Sequence, residues 1–264
     1  MWDEDVDVLC YGSGFGALAV AVAAFDAGLD VRIAQPSALG GGSADPAVRS
    51  LGAGIDDPDT RAYFDGLSAD IDGDDAASAD GGAVVVRTVT DWVPVPGRGR
   101  IAPFYGARLG EWAHRCLNSP HGVLYTRIRD RGTTSMSTVA GDEIQVKALG
   151  LLESDAATGS VSAVGDWLRS QVWDRQIPRW DNSVLRRIVF EDGEVLGAVL
   201  GTDEGQLTVR AGHGMAMSTE RPGGDGDVGA DHLIEPGRPL QVSLVGHHAS
   251  RFGRVELLHA ESGW

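Results

Sequence analysis

Six residues near the start of the chain, Gly12-Ser13-Gly14-Phe15-Gly16-Ala17, have the types and spacing that could do chemistry. They fit the motif G-x-G-x-x-[G/A], in which the first glycine permits a tight turn and the second lets the backbone approach a pyrophosphate. The small Ala17 lets the following helix pack closely on a strand. That helix offers unpaired N–H groups and the positive end of its dipole to the phosphates. The motif therefore predicts a dinucleotide-binding turn.

The stretch around this turn has the order strand, turn, helix and strand. Val6–Tyr11 is a short apolar run, Leu18–Ala27 is rich in alanine and valine, and Val31–Ala34 is again strand-like. The extended form of the motif also requires three later residues. Ala21 is its small residue, Gly28 its helix-ending glycine and Val31 its strand valine. Together these positions predict a Rossmann-type βαβ unit that holds a dinucleotide, and the alternative is the same unit with an empty glycine turn.

One position departs from the extended motif. About 20 residues beyond the glycines, an acidic side chain usually binds the ribose hydroxyls, and this chain has Gln35 there. A neutral amide both donates and accepts hydrogen bonds, but it binds more weakly than a carboxylate. We expect either that Gln35 contacts the ribose with reduced affinity, or that other residues hold most of the dinucleotide.

The rest of the chain alternates between helical and strand-like patterns. Helices are predicted over residues 56–71, 108–117 and 165–176. Strands are predicted at 84–89, in short pieces between 123 and 152, and at 207–217, 240–245 and 255–258. The runs 185–191 and 195–200 flank Asp192-Gly193, a strong hairpin signal. Loops are predicted at 91–100 and, exposed to solvent, near 72–82 and 220–238.

The composition excludes several classes of partner. Acidic residues number 38 against 22 basic ones, and the net charge of −16 repels phosphate backbones and anionic lipid headgroups. Residues 8–25 carry no charge, but glycines interrupt this run, and the acidic residues 3–5 are unlike a secretory signal. Cys10 and Cys116 lack the spacing of a metal or disulfide framework. We expect a cytoplasmic protein that binds no nucleic acid, membrane or metal.

These motifs resemble those of the flavoprotein family of fumarate reductases and 3-ketosteroid Δ1-dehydrogenases. Leu39-Gly40-Gly41-Gly42-Ser43-Ala44 looks like the family's second glycine loop, which lies against the FAD pyrophosphate and flavin, and residues 165–219 are similar to the later part of its FAD domain. The resemblance implies FAD as the cofactor. Beyond Gly12, Ser13, Gly14, Phe15, Gly16, Ala17 and Gln35, it implies cofactor contacts from Gly41, Gly42, Ser43, Val184 and Thr219.

The resemblance also implies the fold. We expect an α/β protein with a Rossmann-like FAD-binding domain, consisting of a parallel central sheet with helices and an added antiparallel β-element. A single domain of this type is expected to occupy residues 1–264.

Three departures from the family bear on function. Where the family has an Ala-Thr-Gly-Gly turn beside the cofactor, residues 217–222 read Met-Ser-Thr-Glu-Arg-Pro. Asp91–Gly97 resembles the Asp-Tyr-x-Pro loop of the steroid dehydrogenases, but Trp92 replaces the tyrosine, and an indole N–H is no acid near neutral pH. Only 45 residues follow Thr219, fewer than the family's substrate cap and returning segment need.

Three other polar clusters have simpler explanations. His247-His248 could face an acidic substrate, but adjacent residues of a strand point to opposite faces, so a structural or interface segment is favoured. Arg127, Arg129 and Arg131 alternate, which favours a solvated or partner-facing strand edge over an anion site. Residues 224–227, Gly-Asp-Gly-Asp, are similar to a late FAD contact of the family but are common residue types here.

Two functions follow from these observations. The first is the FAD-binding subunit of a multi-subunit flavin-dependent dehydrogenase that acts on a steroid-like or other apolar carbonyl compound. A second polypeptide would supply the substrate cap and the catalytic groups, for which this chain offers no assigned residue. The alternative is a non-catalytic Rossmann-like scaffold subunit that stabilises a flavoenzyme partner without binding FAD. The sequence leaves the substrate and the direction of the reaction open.

Overall fold

A computed structural model describes residues 1–36, 55–68, 84–92, 105–127, 132–152, 161–219 and 240–260. Its four long helices are α1 (Phe15–Asp26), α2 (Pro58–Ser68), α3 (Tyr105–Leu117) and α4 (Val161–Asp174). The first six strands are β1 (Glu4–Tyr11), β2 (Val31–Ala34), β3 (Val86–Trp92), β4 (Gly122–Tyr125), β5 (Thr134–Thr138) and β6 (Glu143–Leu152). The others are β7 (Arg179–Trp180), β8 (Val184–Glu191), β9 (Glu194–Thr202), β10 (Gly205–Ser218), β11 (Leu240–Gly246) and β12 (Phe252–Ala260).

The predicted helices and strands are confirmed in type, with small shifts at their ends. The predicted loop 91–100 is wrong at its start, because β3 continues to Trp92, which pairs with Met136 of β5. The loops predicted near 72–82 and 220–238 lie outside the described residues. Residues 8–25, which lack charge, are divided between β1 and α1, and no helix in the described ranges is long and apolar enough to cross a membrane.

The α/β class is confirmed, but the sheet is mixed. All twelve strands belong to one sheet, and its parallel part has the order β7-β2-β1-β10. On the other side of β10, β4 runs antiparallel to it. The antiparallel element predicted around Asp192-Gly193 is present as β8-β9-β10, and the positive φ angles of those two residues, 49° and 78°, suit the tight two-residue turn.

The prediction of a parallel central sheet is wrong for the other end of the sheet. At that end the neighbouring strands have the spatial order β11-β6-β5-β3-β12. Strand β12 also pairs with β11, which closes a barrel-like ring of five strands. The connections from β5 to β6 and from β11 to β12 are short turns, with positive φ at Gly141 and Ala249. Short turns can only join antiparallel neighbours, since parallel pairing needs a long crossover.

Helix α1 is central to the core. Its residues from Gly16 to Ala24 are all buried, as expected for a helix that is apolar on every side. The helix lies on β1, β2 and β10 and also touches α4 and three strands of the ring, β6, β11 and β12. The helix that begins at the glycine turn therefore joins the parallel part of the sheet to the closed ring.

A buried ion cluster joins two strands of the ring. Glu256 of β12 is fully buried and accepts hydrogen bonds from Arg87 Nε at 2.5 Å, Arg87 Nη2 at 3.2 Å and Arg254 Nε at 2.6 Å. The Arg254 guanidinium lies 5.3 Å from the centre of the Trp112 ring, a cation–π contact with α3. The Trp112 indole in turn donates to the Phe252 carbonyl.

Candidate functional site

The glycine turn lies between the end of β1 and the start of α1. Gly12 has φ +112°, which favours glycine, and its N–H donates to the Ala34 carbonyl of β2 at 2.9 Å. Gly14 is the N-cap of α1 and has φ −72° and ψ 166°, an extended conformation that any residue adopts. The turn thus forms as the motif predicts, with the helix beginning at Phe15.

The first N–H groups of α1 differ in their hydrogen bonds. Gly14 provides no side-chain cap, and the first turn has no acidic residue. The N–H of Ala17 donates to Ser218 Oγ at 3.1 Å, and the N–H of Leu18 donates to the Gly14 carbonyl. Within the described ranges, the N–H groups of Phe15 and Gly16 have no hydrogen-bond partner. These two donors lie at the positive end of the helix dipole, which favours an anion.

Two of the three glycines also have a structural role. A Cβ on Gly16 would come within 2.3 Å of the Gly122 carbonyl oxygen at the start of β4. A Cβ on Gly12 would come within 2.9 Å of Ser218 Cβ, in addition to its positive φ. Gly16, and not Ala17 alone, therefore allows the close approach of helix and strand that the motif requires. The backbone conformation of Gly14, in contrast, does not require glycine.

The other two residues of the turn differ in exposure. Ser13 is exposed. The Phe15 ring stacks on His121 with a centroid distance of 4.6 Å, and a Cβ on Gly165 of α4 would come within 2.8 Å of that ring. The Phe15 side chain is therefore fixed between two elements, which leaves its backbone N–H as the group that could meet a ligand.

Gln35 follows the carboxyl end of β2, and Val184 is the first residue of β8. Gln35 N–H donates to the Trp180 carbonyl at 2.9 Å, and the Gln35 carbonyl accepts from Ser183 N–H at 2.8 Å. The next residue after Val184, Leu185, donates its N–H to Tyr11 Oη at 3.1 Å. The backbone around Val184 therefore lies between Gln35 and Tyr11, the last residue of β1 before the glycine turn.

Thr219 directly follows the last residue of β10, and its side chain contacts the end of α3. Its buried hydroxyl lies 2.9 Å from the Cys116 carbonyl and 3.1 Å from the Ser119 carbonyl, at the end of α3. The neighbouring Ser218, which the sequence reasoning did not select, is the residue that contacts the turn. The signal was its position at the end of β10, because β10 pairs in parallel with β1 and must end beside the turn.

The remaining residues singled out from the sequence fall into two groups. Gly41, Gly42 and Ser43 lie outside the described residues, as do Arg129 and Arg131. His247 and His248 follow β11 in a turn and are not strand neighbours, so the argument from opposite faces does not apply. His247 packs edge-on against the Trp112 ring, and burial lowers the pKa of its imidazole.

We predict that Ser218→Ala lowers the free energy of unfolding by about 1 kcal/mol, the usual cost of losing a side-chain cap at a helix N-terminus. The hydroxyl that binds the Ala17 N–H is lost, and the methyl group cannot replace it. Urea denaturation measures the change. Ser170→Ala is the matched control, since Ser170 is exposed on α4 and its loss should cost less than about 0.5 kcal/mol. Equal effects of the two substitutions would contradict the capping role.

Comparison with known proteins gives only remote likenesses. No family model and no curated protein sequence matches the chain. Its structure is similar to 3-ketosteroid-Δ4-(5α)-dehydrogenase from Rhodococcus jostii RHA1, at 17% identity over 81% of this chain and 46% of that one, with a TM-score of 0.34. It is also similar to 3-ketosteroid Δ1-dehydrogenase from Sterolibacterium denitrificans, at 14% identity over 80% and 47%, with the same TM-score of 0.34.

A flavocytochrome c3 fumarate reductase gives a comparable result, with 18% identity over 80% of this chain and 33% of that one and a TM-score of 0.33. The chain therefore spans less than half the length of each of these three proteins.

Proposed function

We propose that the chain binds FAD at the glycine turn, with the pyrophosphate accepting hydrogen bonds from the N–H groups of Phe15 and Gly16. The observation that carries this proposal is the pair of backbone donors at the N-terminus of α1. Within the described ranges the N–H groups of Phe15 and Gly16 have no hydrogen-bond partner, and Gly14, the N-cap, provides no side chain that could reach them.

The chemistry of the surrounding groups fits this cofactor. The first turn of α1 has no acidic residue that would repel a phosphate, although the chain as a whole carries a net charge of −16. The Gln35 amide lies at the end of β2, where it would bind the ribose hydroxyls, and the backbone near Val184 would lie by the adenine. When bound, FAD would supply the hydride acceptor, while the chain's own groups position it.

The wider proposal is a FAD-binding subunit of a multi-subunit dehydrogenase for steroid-like or other apolar carbonyl compounds. It rests on the resemblance of residues 39–44, 91–97 and 165–219 to the flavoprotein family. Trp92 stands where those dehydrogenases have a tyrosine, and its indole donates no proton near neutral pH. The proton-transfer group would therefore come from a second polypeptide, together with the cap that covers the substrate.

A non-catalytic scaffold is the second candidate, and Ser218 favours it. The Ser218 hydroxyl already satisfies the Ala17 N–H, one of the donors at the helix end. Gly16 packs against Gly122 and Gly12 packs against Ser218, and these contacts require glycine at both positions even without a cofactor. Under this alternative the turn is an architectural element, and the chain stabilises a flavoenzyme partner without binding FAD itself.

Natively purified protein separates the two candidates. We expect the flavin absorbance band, co-elution with a second polypeptide in size-exclusion chromatography with light scattering, and no dehydrogenase activity of the isolated chain. A colourless complex that does not bind added FAD would support the scaffold. An active monomer of 27.7 kDa would refute the subunit proposal, because the whole active site would then lie within this chain.

A further inference from the structure

A cavity of about 480 Å³ lies beside the second half of α1, away from the glycine turn. One wall consists of apolar side chains, namely Val8, Val20, Ala23, Ala24, Leu29 and Leu244. Its volume is within the range of about 300–1,000 Å³ that holds small-molecule ligands. At 1.5 Å per helical residue, the part of this wall on α1 begins about 6 Å along the helix from Gly16, at Val20, and Ala24 lies about 14 Å from Phe15. The cavity is therefore a separate site.

The charges around the cavity are all basic. Lys147, Arg127 and His213 line it, and no aspartate or glutamate is among its described lining residues. This is unexpected in a chain with 38 acidic and 22 basic residues. Lys147 is half-buried and has no ion-pair partner within the described ranges. The neutral polar groups satisfy each other, since Thr133 Oγ1 donates to Gln145 Oε1 at 3.1 Å.

Arg127 is fixed in place by the backbone at the rim. Its Nη1 donates to the Gly212 carbonyl at 2.9 Å and its Nη2 to the Val195 carbonyl at 2.6 Å, and Nη2 is 3.6 Å from the exposed Glu194 carboxylate. Its buried Nε has no hydrogen-bond partner within the described part of the chain. Because Nε is closed off from solvent and the other two guanidinium nitrogens already donate to backbone carbonyls, a ligand in the cavity would meet the positive charge of Arg127 and not this donor.

Strand β10, whose Gly212 carbonyl accepts a hydrogen bond from Arg127, is irregular at the same point. Val6 and Val8 of β1 pair with Ala211 and Gly214 of β10, so the two residues between them on β10 face a single residue of β1. This β-bulge places Gly212 and His213 at the cavity, and the Gly212 carbonyl is the group that Arg127 binds. Bulges occur where a strand must redirect its side chains, often beside functional sites.

We propose that this cavity binds a fatty-acid-like carboxylate, with its hydrocarbon chain against α1 and its carboxylate at Lys147 and Arg127. The apolar wall provides the hydrophobic contact, and the Lys147 ammonium provides a charged donor for the carboxylate. Charge-assisted hydrogen bonds of this kind are about twice as strong as neutral ones. The matching alcohol would gain the same apolar contact without the charged one, so the cavity prefers the acid. This proposal does not depend on FAD binding.

Isothermal titration of the purified protein with dodecanoate and with dodecanol, both below their micelle concentrations, tests the assignment. We expect one dodecanoate per chain and weaker binding of dodecanol. Lys147→Met should weaken dodecanoate binding about tenfold, the loss of one hydrogen bond to a charged group, and leave dodecanol binding within about twofold of the wild type on the same basis. Ala24→Leu, which fills the cavity from the helix side, should weaken both ligands.

Arg115→Met is the matched control, because it removes one exposed positive charge outside the cavity lining. No saturable binding of dodecanoate to the wild type would overturn the proposal. An equal loss from Arg115→Met and Lys147→Met would overturn it too, since net charge alone would then explain the effect. Circular dichroism of each variant confirms folding, and the flavin absorbance of the same samples reports separately on the glycine turn.

Discussion

Glu256→Gln is expected to lower the free energy of unfolding by about 3–5 kcal/mol, the usual cost of breaking a buried ion pair from one side. The substitution leaves the guanidinium groups of Arg87 and Arg254 without their carboxylate, and Arg254 is only 3% exposed. Glutamine keeps the shape of the side chain, so the effect reports on charge. Chemical denaturation at neutral pH measures it.

The same cluster gives a stability that depends on pH. Burial alone would raise the pKa of Glu256, but Arg254 and Arg87, with their hydrogen bonds, hold it below its ordinary value of 4.5. A carboxyl whose pKa is lowered by folding stabilises the folded state above its unfolded pKa, and this contribution is lost as the pH falls through the lower folded pKa. Acid should therefore destabilise the wild type more than Glu256→Gln below about pH 4.5.

Glu111→Gln is the control for both measurements. Glu111 pairs with Arg115 on the exposed face of α3, where an ion pair contributes at most about 0.5 kcal/mol. If Glu111→Gln and Glu256→Gln cost the same, or if the acid sensitivity survives in Glu256→Gln, the buried cluster is not the source of the stability.

Gly14→Val is expected to weaken FAD binding by up to about a hundredfold while leaving the chain folded. The valine side chain would occupy the space that the pyrophosphate needs, and overpacking of about 1–3 kcal/mol corresponds to as much as a hundredfold weaker affinity. Gly14 has φ −72° and ψ 166°, so valine fits the local backbone. Titration of the apoprotein with FAD, followed by flavin fluorescence, measures the affinity.

Gly66→Val provides the matched glycine substitution away from the turn. A Cβ on Gly66 of α2 would meet nothing within 4 Å, so FAD affinity should not change. Gly14→Ala is the smaller variant in case valine disturbs the fold, and it should weaken binding by a lesser amount. FAD affinity that is unchanged in a folded Gly14→Val protein would remove the cofactor from this turn.

Local patterns predicted the βαβ unit and most of the elements. The turn from Gly12 to Ala17, the buried helix after it and the Asp192-Gly193 hairpin all depend on contacts between residues close in sequence. Motifs of this kind are readable because each residue has its own backbone or packing reason, such as the positive φ of Gly12. They also indicate which strand end a ligand would occupy.

Longer-range pairings were not predictable from such patterns. The closed ring joins Val86 of β3 to Leu257 of β12, and Ser218 reaches Ala17 across the sheet. The cavity is likewise formed by α1 and strands from the whole chain, so that Lys147 and Arg127 meet only after folding. Alternation of apolar residues shows that a strand exists, but it does not show which strand lies beside it.

The pairing of β12 also determines when the ring can assemble during synthesis. β12 forms ladders with β3, β4 and β11, so the ring cannot close before residues 252–260 have emerged from the ribosome. Until then β3 and β11 present free edges, and unpaired edges are the surfaces through which nascent chains aggregate. Because such distant pairings also slow folding, the chain is expected to fold slowly and to need protection by chaperones while it is being made.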